Sequence, residues 1–228
     1  KVQAAQAELF QYGGALLAEK RRCPADDILS AAVHGRVPSD GGGDELLSEL
    51  EQQMLFNLLI AAGSETTRNS IALGFAALVE HPEQWRALRD DRALVPRAVE
   101  EMLRWGSSTP YNRRTATRDV TIRGTTIRAG DKVTLWWASA NRDENVFADP
   151  FRFDVRRDPN PHLTFGHGNH FCLGANLARV EMRLVFEGLL ERFDEIALDG
   201  PIELARSNKH TGVRHMPATF VRRTERPS

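Results

Sequence analysis

From residue 44 to about residue 80 the chain carries helix-compatible residues without a break. That predicts one helix of roughly 35 residues, on the order of 50 Å long at 1.5 Å per residue, with Asp44 as its cap. A helix of that length crosses the whole of any domain that 228 residues can build, so the rest of the fold has to be arranged around it. Its middle is unusual. "AAGSETT" (61–67) sets a glycine beside a serine and two threonines. Glycine costs roughly 1 kcal/mol in a helix interior, and Ser/Thr hydroxyls compete for backbone carbonyls and bend helices. Two readings follow. The helix widens locally and opens a groove with an acid (Glu65) and an alcohol (Thr66) at its edge, or the small residues serve a close helix crossing.

Shorter elements flank it. Residues 4–20 read as a helix, and "CPADDILSAAV" (23–33) as a second with Pro24 near its start. "SDGGGDE" (39–45) is the clear flexible linker, and neither an internal repeat nor a low-complexity tract stands out. "HPEQWRALRDD" opens a helix at Pro82 with Trp85 and Leu88 on its apolar side, and "VPRAVEEMLRW" places Val99, Met102 and Leu103 on one face. From 119 to 137 the pattern changes to "VTI", "TTI" and "KVTLWW", broken at Gly124 and at 129–131, which predicts a small antiparallel unit. A Pro/Asp/Arg-rich irregular stretch (149–161) follows. The fold class is mainly α with a small β part.

Composition narrows the function. Lys+Arg 30 against Asp+Glu 31 gives a net charge of −1, so no global basic field points to nucleic acid. Two cysteines cannot build a disulfide framework, and a reducing, cytoplasmic setting is the expectation. The longest apolar stretch (54–63) is interrupted by Asn57 and is too short to span a membrane. The chain opens on Lys1 with no signal peptide in view, which leads to the expectation of a missing upstream segment.

"PHLTFGHGNHFCLGANLARVE" (161–181) carries the chemistry. Gly166 and Gly168 suit a tight turn. Leu173, Leu177, Val180 and Leu184 recur at helical spacing, so a helix begins at or near Cys172 and its N-terminus favours a thiolate there. A cysteine by itself is commonly a small buried hydrophobe, and Cys23 takes that reading. Cys172 does not. No other ligand stands at zinc-site spacing, CxxC is absent, and His170 is too close along the chain to fold back as a base. What remains is a metal that brings most of its own ligands, as haem does.

Other signals are weak singly. Glu101 and Arg104 at i and i+3 read as ordinary surface pairing worth a few tenths of a kcal/mol. "YNRRTATRD" (111–119) sets two arginines before a strand, a solvated setting. In order, however, an Ala-Gly-x-Glu-Thr-Thr helix, Glu-x-x-Arg, and Phe-Gly-x-Gly-x-His-x-Cys-x-Gly resemble the cytochrome P-450 superfamily, over nearly the whole chain but only the C-terminal half of such a protein.

The resemblance implies the C-terminal portion of that fold, as part of one haem-thiolate monooxygenase domain spanning 1–228, with haem b as cofactor. Cys172 would be the axial thiolate, its charge softened by amides near Leu173 and Gly174. Phe165 would pack beside the sulfur, and Gly166 and Gly168 would let the loop lie under the ring. Ala62 and Gly63 would meet the cofactor from the long helix, and Arg114 and His170 would bind its propionates. Glu101, Arg104 and Arg157 would pin the cysteine loop as a structural set. Glu65 and Thr66 would be relay acid and hydrogen-bonding alcohol for proton delivery to bound dioxygen. Ile60, Ala61, Pro110, Tyr111, Thr211 and Gly212 would line a pocket for a small apolar substrate.

The closest likeness is to bacterial, especially actinobacterial, enzymes that hydroxylate terminal methyl groups of branched lipids and sterol side chains. It implies ferredoxin or a similar electron carrier with an NAD(P)H-dependent reductase. Arg152, Arg156, Arg157, Arg179 and Arg183 form either a solvated face or a docking patch for that acidic carrier. Rival readings are a peroxygenase, a non-catalytic haem sensor or electron carrier, and an inactive partial gene product. Leu55, Leu58 and Leu59 are expected to be short of partners in this chain.

Overall fold

The computed structural model describes residues 2–39 and 41–223. Helix α1 (Val2–Arg22) ends on Lys20, Arg21 and Arg22, cations that complement the partial negative charge of a helix C-terminus. Cys23 follows it and is exposed, contrary to its expected burial, because it lies past the end of the helix with its amide on the Glu19 carbonyl. Helix α2 (Ile28–His34) starts later than the sequence indicated. Its cap is Asp27, whose carboxylate accepts the Ser30 amide at 2.8 Å.

The 39–45 stretch is no linker. It turns a hairpin between β1 (Arg36–Pro38) and β2 (Asp44–Leu46), with Gly42 and Gly43 at φ 84° and 94°; Asp40 itself lies outside the described residues. Asp44 is thus in a strand, and helix α3 (Glu49–Glu80, 32 residues) starts beyond it. A capping box sets that start: the Ser48 amide donates to Glu51 Oε2 at 2.8 Å, and the Glu51 amide donates to Ser48 Oγ at 3.3 Å.

Two compact units divide within α3, Lys1–Ser64 and Glu65–Ser228. The first has a small core of Leu17, Val33 and Phe56, with Leu9, Leu16 and Leu29 packed against it. Gly13 permits the close approach of α1 to α3, since a Cβ there would fall 2.5 Å from the Phe56 ring.

The second unit holds the main core. Helix α4 (Pro82–Asp90) buries Trp85 and Leu88, and α5 (Val95–Gly106) buries Val99, Met102 and Leu103, as their spacing indicated. Four residues of helical chain, Trp137–Ala140, make α6, and α7 (Ala175–Arg192) buries Ala175, Met182, Phe186 and Leu190. The tight helix crossing falls at Gly74, where a Cβ would lie 2.9 Å from Met102 Sδ. A Cβ at Gly63 would meet nothing within 4 Å, so the close crossing expected at 61–67 is not seen at this glycine among the described residues. The widened-groove reading fares no better as backbone geometry, because α3 is helical throughout.

The β part is more dispersed than one unit. Strand β3 (Tyr111–Thr115) pairs with β6 (Lys132–Trp136), and β4 (Val120–Ile122) with β5 (Thr125–Ile127). Arg113 and Arg114 lie inside β3 rather than ahead of a strand, and both are exposed. Strand β7 (Phe193–Leu198) pairs with β10 (Ala218–Arg222), and β8 (Glu203–Leu204) with β9 (Val213–His215). Every ladder among the described residues is two-stranded and antiparallel.

Two apolar stripes face solvent. In the first unit Leu50, Met54 and Leu58 recur every fourth residue of α3 at 67%, 55% and 62% exposure, while Leu55 and Leu59 are half-buried. In the second unit Leu173, Leu177, Val180 and Leu184 are all exposed. Exposed stripes of this kind mark a missing partner or an aggregation hazard. Residues 1–228 expressed alone should therefore bind a hydrophobic dye strongly and melt without a cooperative transition. A sharp calorimetric transition with no dye binding would show the chain self-sufficient.

Candidate functional site

The buried end of α5 organises the second unit. Glu101 and Arg104 have fully buried side chains, not the surface pairing their spacing alone suggested. Arg104 Nε and Nη2 donate to the two Glu101 oxygens at 2.7 and 2.8 Å. The remaining guanidinium donors reach the carbonyls of Asn141, Pro150 and Arg152 at 2.8, 2.9 and 3.1 Å. Glu101 also accepts Arg157 Nε at 3.1 Å, Asn160 Nδ2 at 3.0 Å and the Asp154 amide at 2.9 Å. Arg157 continues outward to the carbonyls of Ala148, Asp149 and Arg152. A stretch with no regular secondary structure is thereby held by one helical turn.

Asn141, fully buried, ties that turn to the cysteine loop. Its Nδ2 donates to Ser107 Oγ at 3.0 Å and Thr164 Oγ1 at 2.9 Å, and its Oδ1 accepts the Leu163 amide at 2.7 Å. Thr164 Oγ1 in turn donates to the Leu103 carbonyl at 2.9 Å. From there the loop is self-bonded. The Gly166 amide reaches Leu163, the Phe171 amide reaches Gly168 and the Cys172 amide reaches Phe165, each at 2.9 Å. Gly166 and Gly168 both sit at φ 75°, where a side chain would be strained. Helix α7 begins three positions past the cysteine, at Ala175, whose amide donates to the Cys172 carbonyl at 3.2 Å. The sulfur therefore lies in the loop before the first turn, and it is exposed.

Around this loop lies a charged cluster that sequence reading passed over. Glu100 accepts Arg179 Nε at 2.7 Å, Arg179 Nη2 at 2.9 Å and His162 Nε2 at 3.0 Å. Burial pushes the Glu100 carboxyl up, but the bonds from His162 and Arg179 outweigh it and hold it at about 2. The bond to Glu100 raises Arg179 in return, against a smaller opposing effect of burial. Glu100 was masked by its neighbour in the motif. A carboxylate at 100 and an arginine at 179 are the only trace of the cluster in the sequence, and they are 79 residues apart.

The glycine-flanked turn of α3 that carries Thr66 adjoins a second neighbourhood. Ser70 Oγ donates to the Thr66 carbonyl at 2.9 Å and lies 3.0 Å from Ser108 Oγ, and the Ser108 carbonyl accepts the Thr211 amide at 2.9 Å. Gly212 lies against Asn69, where a Cβ would be 3.2 Å from Nδ2. Thr211 and Gly212 are thus held against the α3 turn that follows Thr66, while Tyr111 opens β3 with its ring tilted 47° against Trp136 at 4.6 Å. Glu65 belongs to the same unit and is exposed. Ile60, Ala61, Ala62 and Gly63 are exposed on the first unit's portion of α3.

The remaining positions are on the surface of the second unit. Arg114 Nη1 donates to the Arg113 carbonyl at 3.0 Å, His170 closes a short 3-10 turn, and Leu173 and Gly174 follow the cysteine in the open. Phe165 is half-buried under the Arg179 guanidinium, 4.6 Å from its ring centroid. The five-arginine patch is largely neutralised: Arg157 pairs with Glu101, Arg179 with Glu100 and Arg183 with Glu187, and Arg152 lies 3.9 Å from Asp154. Arg156 is exposed and in no ion pair among the described residues.

These features coincide with a known family. The cytochrome P-450 family model matches residues 3–213. The chain belongs to the cytochrome P-450 family. It is 48% identical over 217 residues to the methyl-branched lipid omega-hydroxylase of Mycobacterium tuberculosis, covering 94% of this chain and 49% of that protein. It is 41% identical to the steroid C26-monooxygenase of Mycolicibacterium smegmatis, covering 90% of this chain and 51% of that one. The structure of CYP109Q5 from Chondromyces apiculatus superposes with a TM-score of 0.88 at 36% identity, over 98% of this chain and 57% of that one. The chain thus spans about half the length of the curated relatives it matches, and its fold is the corresponding portion of the P-450 fold. Members of this P-450 family carry haem, use redox partners and act on apolar substrates. No described helix of this chain is long and apolar enough to cross a membrane.

The buried pair sets a measurable expectation. Removing one partner of a buried ion pair costs about 3–5 kcal/mol, because the other charge is left uncompensated. Glu101→Ala in the full-length P-450 should lose stability of that order in chemical denaturation. It should also raise protease sensitivity between residues 141 and 160. A loss below about 1 kcal/mol, the ordinary worth of a surface pair, would contradict the role given to the pair.

Proposed function

We propose that residues 1–228 are the C-terminal part of a single haem-thiolate monooxygenase domain, with haem b held through Cys172. Cys172 itself carries the reading. It is an exposed thiol on a loop fixed by backbone bonds, and no group of three or more His, Cys, Asp or Glu among the described residues could hold an ion. An ion at this sulfur must bring its other ligands, which suits haem. The loop residues suit it too. Gly166 and Gly168 keep side chains off the loop, Phe165 stands beside it, and the amides of Leu173 and Gly174 precede the helix. Arg114 and His170 form no ion pair among the described residues and are free to take the propionates. Ala62 and Gly63 keep the haem-contacting assignment that the family resemblance gives them, and Glu101, Arg104 and Arg157 the supporting one.

When bound, haem supplies dioxygen activation, the thiolate pushing electron density toward O–O cleavage. The chain's own residues manage protons and substrate. Exposed Glu65 takes protons from solvent and passes them inward, and the Thr66 hydroxyl orders the last donor beside the oxygen site. Pro110, Tyr111, Thr211 and Gly212 keep the substrate-lining assignment that the family resemblance gives them, and so do Ile60 and Ala61. The substrate class is the terminal methyl of a branched lipid or sterol side chain, as the names of the two relatives support. Electrons come from a ferredoxin-like carrier with an NAD(P)H-dependent reductase, in a cytoplasmic setting, with Arg156 the free cation toward the carrier.

In the full-length protein, Cys172→Ser should abolish the red-shifted Soret band of the reduced carbon monoxide complex, since a hydroxyl is a poor anionic ligand at neutral pH. Retention of that band would refute the ligand assignment. Thr66→Ala should keep haem content and reductant consumption but divert more of the reductant to peroxide and less to product. Unchanged coupling would remove the relay role.

A further inference from the structure

Glu100 sits beside Glu101 on α5 but serves different partners. It takes Arg179 by a two-pronged contact and His162 by a third bond. The Thr164 amide donates to His162 Nδ1 at 3.3 Å, which leaves Nε2 as the nitrogen that faces Glu100. The Arg179 guanidinium is pressed on the Phe165 ring, and the Phe165 carbonyl holds the Cys172 amide. Arg179 also rides on α7, whose first amide is bonded to the Cys172 carbonyl. One carboxylate thus fixes a cation against the loop that presents the sulfur, from both the loop side and the helix side.

We propose that Glu100 is a positioning residue for the thiolate centre: it clamps Arg179 against Phe165 and cancels its charge, so that the Cys172 sulfur keeps its donor strength. This rests on Cys172 as the iron ligand. Partners one step removed from a metal ligand tune it by orientation and by charge, and a half-buried pair is screened less than a surface one. Held at about 2, the Glu100 carboxyl is ionised across the neutral range, so the cancellation is in place under working conditions. Without that carboxylate, Arg179 becomes an uncompensated cation beside a ligand whose function is to donate electrons. Reduction of the iron adds one negative charge, so a nearby positive charge favours it.

The test compares charge with shape in the full-length haem-loaded protein. Glu100→Gln is nearly isosteric and removes one negative charge; Arg179→Gln removes the positive one. The midpoint reduction potential, measured by equilibrium titration at low ionic strength, should rise for Glu100→Gln and fall for Arg179→Gln. The double variant should return toward the parent. Simple loosening of the loop would move both single variants the same way, and that result, or no shift in either, overturns the proposal. Should Glu100→Gln fail to retain haem, Arg179→Gln decides: a fall in potential supports the proposal, and a rise or no change overturns it. Absence of the red-shifted carbon monoxide band from the unaltered protein would remove the ligand assignment and this proposal together. A parent with the band and unmoved potentials in the variants removes the positioning role only.

Discussion

The ion pair between Glu101 and Arg104 is the constraint on which the second unit depends. Two fully buried charges are tolerable only when nearly every lone pair and proton finds a partner. Arg104 meets that demand with both Glu101 oxygens and three backbone carbonyls, and Glu101 with Arg104, Arg157, Asn160 and an amide. The partners come from residues 141 to 160, a stretch with hardly any regular hydrogen bonding of its own. Satisfying the pair and ordering the stretch are therefore the same event. A pair of hydrophobic residues could fill the same volume, but it would leave those carbonyls and the Asp154 amide without partners.

Consecutive carboxylates on α5 divide the labour. Side chains one residue apart on a helix point about 100° away from each other, so Glu100 and Glu101 cannot serve one target. Glu101 faces inward to the irregular stretch, and Glu100 faces the cysteine loop and α7. Asn141 closes the arrangement by binding Ser107, Thr164 and Leu163 at once. The position of the sulfur is thus set by α5 through three polar routes, while the apolar packing of α5 on α7 through Met102, Met182 and Phe186 gives the distance between the two helices.

Which of these features were legible in the sequence follows from the range of the forces involved. Helices α4 and α5 were readable because burial repeats every third or fourth residue. The left-handed glycines at 166 and 168 were readable because only one residue type suits that backbone. The caps were misjudged: Asp44 looked like the start of α3, yet Gly42 and Gly43 fold the chain back and give Asp44 a strand partner in Pro38. Strand β3 was missed because Arg113 and Arg114 in an exposed, two-stranded ladder carry no apolar alternation. The burial of Glu101 and Arg104 could not be read from their spacing, which is the same in a solvated pair. Only the family resemblance pointed at it. Glu100, Asn141, His162 and the pairing of Arg179 escaped for a related reason, since a polar contact between residues 22 to 79 positions apart leaves no periodic mark.

Glycines bring out the same distinction most sharply. Gly13 and Gly74 are explained by crowding, with Phe56 and Met102 where a Cβ would go. Gly166 and Gly168 are explained by backbone conformation. Gly63 has neither cause. It sits in regular helix, where glycine costs roughly 1 kcal/mol against alanine, and a Cβ there would touch nothing within 4 Å among the described residues. The reason for a glycine is thus read from its surroundings, and at Gly63 the described residues supply none.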